Sequence, residues 1–203
     1  MVVALLSPCV NLKQSENGEW QVIEKRDNNE IAHPLGKTLD KLVGKDSGLP
    51  QWPWQQILRA AYYHGDALQK LVLVGSLNGS GKKEQLDLAY EFFSTYFPGK
   101  VVILGRPALP GGNYDSRWQA DFEDLEGLSK LLRTILRELY KDTNSYTDHD
   151  IIIDCTGGLK VASIAAALVT LDRPDLMFQY VGTGENTGRL LGFNVAGHED
   201  VSI

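Results

Sequence analysis

The chain has 203 residues, 43% of them hydrophobic, and a formal net charge of −6. That length and apolar content suffice for one compact domain with a sizeable core, while the negative balance argues against non-specific binding to duplex DNA or RNA, which depends on clustered Lys and Arg, and still allows a small anionic ligand in a locally basic cleft. Cys9 and Cys155 form neither a disulfide framework nor a metal-ligand spacing, and no apolar run reaches the roughly 18 residues of a membrane span, so a cytoplasmic protein with no membrane contact is expected.

In chain order, apolar runs predict six strands: Val2–Ser7, Leu71–Ser76, Val101–Gly105, Ile151–Cys155, Met177–Gly182 and Arg189–Val195. Helical patterns lie between them at Trp54–Gln69, Lys83–Tyr96, Phe122–Lys141 and Leu159–Leu171. Strands alternating with helices imply a Rossmann-like α/β fold, a mainly parallel six-stranded sheet with helices on both faces. The last two strands are joined by residues 183–188 alone, too short for a crossover, so the final strand is expected to run antiparallel.

Two segments depart from this minimal pattern. Within residues 10–50, Trp20–Lys25 and Glu30–Leu35 flank the turn-rich Arg26-Asp27-Asn28-Asn29 and predict a β-hairpin inserted after the first strand. Residues 105–119, rich in Gly and Pro, read either as a lid or as a plain surface loop.

The most informative stretch is Asp154-Cys155-Thr156-Gly157-Gly158-Leu159-Lys160, where a buried strand stops at a polar double-glycine turn and an alanine-rich helix begins. Unpaired amides at a helix start form a weak positive pole, glycines admit a ligand close to the backbone, and Lys160 adds a full charge. Those parts suit a phosphate, although an ordinary strand-to-helix turn has the same spacing. With the doubly wound strand order 3-2-1-4-5-6, the first and fourth strands meet at the topological switch point, where ligands of open α/β sheets bind. The first strand delivers Ser7, Pro8, Cys9 and Asn11 to that edge, the second Ser76, Asn78 and Ser80, and the fourth Thr156, Gly157, Gly158 and Lys160.

Other nucleotide motifs fail. Before Gly81-Lys82-Lys83 the leading glycine of a Walker A loop is Ser76, and Lys83 stands where the magnesium-binding hydroxyl belongs. The turn after the first strand has no glycine for a dinucleotide fingerprint. His33, His64, His149 and His198 are scattered without metal spacing. Arg59 and His64 have the spacing of the HEPN ribonuclease motif, but they sit on a helix expected to pack against the sheet.

The heptapeptide Asp154–Lys160, followed by the alanine-rich Val161–Leu168, resembles the signature of the CARF family, the CRISPR-associated Rossmann-fold domains. Phe178–Thr183 is similar to the strand that follows the motif in that family, and Leu71–Phe93 resembles its second strand and helix. The resemblance spans most of the chain outside residues 10–50, with its specificity concentrated in the heptapeptide.

The resemblance implies a homodimer that binds a cyclic oligoadenylate, the second messenger of type III CRISPR systems, across its two-fold axis. Most such proteins carry an effector domain. This chain ends eight residues after its last predicted strand, so a separate effector is not expected. A sensor of this kind is either a ring nuclease that cleaves its own ligand or a binder that signals to a separate partner. RNA-type cleavage by the ligand's own 2′-hydroxyl calls for no cofactor and no metal. Lys160 and the amides of Gly157 and Gly158 would stabilise the transition state, and Ser7 would orient the ribose or phosphate. Asn11, Lys13, Asn78, Ser80, Lys82 and Arg106 are candidates to surround the ring. Asp154 is expected to bond backbone amides or a nearby cation rather than phosphate. Tyr114 and Trp118 either stack on adenine or pack against the core. An ordinary mononucleotide-binding or structural α/β subunit is the alternative from another class.

Overall fold

A computed structural model describes residues 1–27, 29–36, 38–43, 49–50, 52–108, 112–141, 146–157, 160–182 and 189–195. The first strand, β1 (Val2–Leu6), is an unbroken apolar run with every residue buried. Its side chains alternate as the pleat requires: Val2, Ala4 and Leu6 enter one core, Val3 and Leu5 the other. Such a strand can only be central, and it pairs in parallel with β5 (Leu71–Gly75) on one side and β7 (Ile152–Asp154) on the other. Adding β6 (Val101–Ile103), β8 (Met177–Val181) and β9 (Leu190–Phe193), the sheet order is β6-β5-β1-β7-β8-β9, the doubly wound order expected. Only β8 and β9 run antiparallel within it.

Helices cover both faces. Over one lie α2 (Gln55–Tyr63) and α3 (Lys83–Tyr96), which bury Trp54, Ile57, Phe92 and Phe93 against Ala4, Leu6 and Leu73. Over the other lie α4 (Leu125–Lys141) and α5 (Lys160–Thr170), with Leu128, Leu132 and Ile135 on Val3, Leu5 and Val74. The small side chains Ala162, Ala165 and Ala166 form the buried stripe of α5. A short α1 (Leu39–Val43) precedes α2, and its last carbonyls are taken up by the Gln55 and Arg59 side chains. That is the use of the buried Arg59.

The insertion is larger than a hairpin. β2 (Leu12–Gln14), β3 (Trp20–Arg26) and β4 (Asn29–Pro34) form an antiparallel three-stranded sheet in the order β2-β3-β4. The expected hairpin is its β3–β4 half, turning beside Asp27 at φ 49°. It is anchored to the domain through the Trp20 indole, which donates to Thr95 Oγ1 at 3.0 Å.

Three predicted elements are shorter than expected. The helix expected over 54–69 stops at Tyr63 and passes into a single tight turn at Gly65–Ala67, because Gly65 adopts φ 51°. The helix expected from Phe122 begins at Leu125, where the Asp124 carboxylate accepts the Glu126 amide and caps it. The strand expected to reach Gly105 stops at Ile103, since Gly105 turns to φ 73° with Asp115 and Trp118 pressed against it. Among the described residues no helix is long and apolar enough to cross a membrane.

Candidate functional site

A cleft of about 400 Å³ opens at the carboxyl ends of β1, β5 and β7, the switch point of the sheet. Leu6, Ser7 and Pro8 line it from the end of β1, and Ser76, Asn78 and Gly79 from the end of β5. Gly157 enters from β7. The remaining wall is Asp121, Phe122 and Glu123, which precede α4.

Close backbone approaches set this shape. A Cβ on Gly157 would lie 2.3 Å from the Leu5 carbonyl oxygen and 2.7 Å from Ile57 Cδ1. Its missing side chain therefore makes room for β1 and α2, not for a ligand. Gly79 is likewise filled by Pro8, with Cγ 2.7 Å from where a Cβ would stand. The loop after β5 folds back on itself, Gly81 N donating to Ser76 O at 2.6 Å, and is held from outside by Gln119 Nε2 on Gly81 O at 2.9 Å. Ser76 also bridges Ala120, with Leu77 N on Ala120 O at 3.0 Å, which carries Asp121–Glu123 over the sheet edge. Asn78 Nδ2 then donates to Asp121 Oδ2 at 2.7 Å, closing the wall.

Behind the cleft lies a buried polar chain. Asp154 is fully buried. It accepts from Thr156 N at 3.2 Å, Thr156 Oγ1 at 3.1 Å and Gln179 Nε2 at 2.9 Å. Burial raises its pKa to about 7, an increase that the Gln179 and Thr156 hydrogen bonds hold back. Gln179 Oε1 in turn faces His64 Nε2 at 2.8 Å, and the Val181 amide donates to Thr156 Oγ1 at 2.8 Å. The expectation that Asp154 bonds a backbone amide holds, through Thr156. His64, whose spacing from Arg59 is read above as no nuclease motif, serves this chain.

The candidate residues separate into three groups. Ser7, Pro8, Ser76, Asn78 and Gly157 meet at the cleft, and Lys160 stands exposed at the head of α5 just beyond Gly157. A second group is committed to structure. The Ser80 hydroxyl is buried, donates to Leu6 O and accepts the Ser76 amide at 2.9 Å. Cys9 is buried, with its amide on Gln85 Oε1 at 2.8 Å and its thiol pushed up to about 12 by burial. The Thr156 hydroxyl is used in both directions, and Asn11 O accepts the Ile23 amide at 2.7 Å, extending the pairing of β2 with β3. Arg106 forms the third case. Its guanidinium lies 3.4 Å from the centre of the Tyr90 ring, and it does not line the cleft. Tyr114 beside it donates to Asp87 Oδ1 at 2.8 Å, and Trp118 packs against the core. Gly158 falls outside the described residues.

Sequence reasoning missed Asp121, Phe122 and Glu123. An acidic run before a helical pattern reads as an ordinary helix start, which Asp124 indeed is. Among the described residues no group of three or more His, Cys, Asp or Glu is placed to hold a metal ion. A larger groove, about 500 Å³, lies between α4 and α5 and carries Lys130, Arg133 and Arg137.

No protein-family model matches the chain. It is 34% identical over 136 residues to an uncharacterized protein of Aquifex aeolicus (strain VF5), a match that takes in 66% of this chain and 39% of that protein. The chain thus spans about two-fifths of the length of the curated relative it matches.

Proposed function

We propose that this chain binds a cyclic oligoadenylate, cyclic tetra-adenylate first among them, at a homodimer interface and cleaves it as a metal-independent ring nuclease. The observation that carries the reading is the convergence of three strand ends on one cleft at the switch point, with Gly157, in the elbow between β7 and α5, in its wall. The CARF-like heptapeptide occupies that elbow.

The outer face of α5 supports the dimer. Ile164 and Leu168 fall on one side of the helix, opposite the buried alanines, with Leu171 just past its end, and the three are 51%, 43% and 49% exposed. Lys160 lies on the same side, one turn before Ile164. Two such ridges packed side by side about an axis parallel to the helices would cover each other. Both Lys160 side chains would then stand at one end, where a two-fold ring meets two identical elbows.

In the cleavage step the 2′-oxygen of one adenosine attacks the adjacent phosphorus, the P–O5′ bond breaks, and a 2′,3′-cyclic phosphate end forms. The 2′-hydroxyl proton leaves and the 5′-oxygen gains one. Lys160 and the Gly157 amide would stabilise the pentacoordinate phosphorane, while Ser7 orients the ribose. Incubation with cyclic tetra-adenylate in chelator-treated buffer, followed by product separation, tests this. Linear di-adenylate with a cyclic phosphate end is expected. Intact ring with firm binding would instead mark a non-hydrolysing sensor.

A further inference from the structure

The switch-point cleft has the wrong charge for a phosphate pocket. Among the described residues its walls carry two carboxylates, Asp121 and Glu123, and no Lys, Arg or His. The donors that fix Asp121 are neutral: Asn78 Nδ2 on Oδ2 at 2.7 Å and the Glu123 amide on Oδ1 at 2.9 Å. Each oxygen keeps acceptor capacity beyond the one bond it receives. Leu6, Pro8 and Phe122 supply apolar surface between these acceptors and the elbow. About 400 Å³ is room for a single small-molecule unit rather than a ring of four nucleotides. Lys160, by contrast, stands outside the lining.

We propose that the part of the ligand entering this cleft is one nucleoside, whose hydroxyl or amino donors meet the carboxylates of Asp121 and Glu123, while the phosphates remain at the rim beside Gly157 and Lys160. This deepens the cyclic-oligoadenylate reading and rests on it. The acidic wall would repel a phosphate pushed into the cleft and reward a donor in the same place, so the two ends of each nucleotide are sorted by charge. Asp121 and Glu123 become specificity-determining residues.

The test measures affinity for cyclic tetra-adenylate, first with the native protein. Asp121→Asn and Glu123→Gln remove charge, and each should weaken binding about tenfold, Glu123→Gln with an unchanged melting temperature. Glu123 is exposed, so its variant guards against a folding defect. Two ring analogues identify the donor, one dimethylated at the adenine N6 and one methylated at the ribose 2′-oxygen. The analogue lacking the relevant donor should bind native protein and Asp121→Asn equally. If the native protein binds and both variants bind as tightly or more tightly, or if both analogues keep the full Asp121→Asn loss, the assignment of the acidic wall is overturned while the ring-binding reading stands. If the native protein does not bind the ring, the underlying reading fails and takes this one with it.

Discussion

The Gln179 side-chain amide donates to the buried Asp154 carboxylate at 2.9 Å, joining β8 to β7 directly behind the elbow. Burial takes this carboxylate out of bulk solvent and disfavours its charge, so its pKa is raised to about 7 from an ordinary value of 3.8. The folded state therefore binds more protons than the unfolded chain between those values. Its contribution to stability is complete below about pH 4 and is lost as pH rises through about 7, at up to roughly 1.4 kcal/mol per unit. Asp154→Asn should flatten this part of the profile, measured by urea unfolding at pH 4 to 8. An unchanged slope would remove Asp154 as its source.

Gly157→Ala tests the elbow's packing. The new methyl would stand 2.3 Å from Leu5 O, backbone that cannot retreat without moving β1. A loss of about 2–3 kcal/mol is expected in chemical denaturation. A stable variant would show that the Gly157 turn can shift.

Ser80→Ala separates structure from binding. The hydroxyl joins Leu6 O to the Ser76 amide, and its removal leaves two backbone groups short of a partner. About 2 kcal/mol of stability should go, with faster hydrogen exchange at Ser76. A variant that keeps its stability but loses ligand would return Ser80 to the binding residues.

The ridge on α5 makes a separate prediction. Ile164→Glu places a charge on an exposed apolar position and should convert a dimer to a folded monomer in sedimentation velocity, with the melting curve of the single chain retained. A native protein already monomeric at micromolar concentration would contradict the paired elbows.

Much of this architecture was legible in the chain because β1, β5 and β7 are apolar runs that can only be buried on both faces, and because the link before β9 is too short to cross over. β2 was not, since Leu12 is the one inward side chain in a three-residue strand. The site was half legible. Sequence placed Ser7, Asn78 and Gly157 at one edge, but it does not distinguish a hydroxyl facing a ligand from one satisfying a neighbouring strand. Ser80 and Thr156 do the latter. Asp121 was hidden because its approach to Asn78 depends on the bridge between Ser76 and Ala120, a contact between segments far apart in the chain.

Calorimetric titration of cyclic tetra-adenylate into the native protein and into Lys160→Ala tests the central claim most directly. One ring should be taken up per two chains at micromolar protein, and the variant should lose most of that affinity. No heat from the native protein, or identical isotherms for the two, would contradict it.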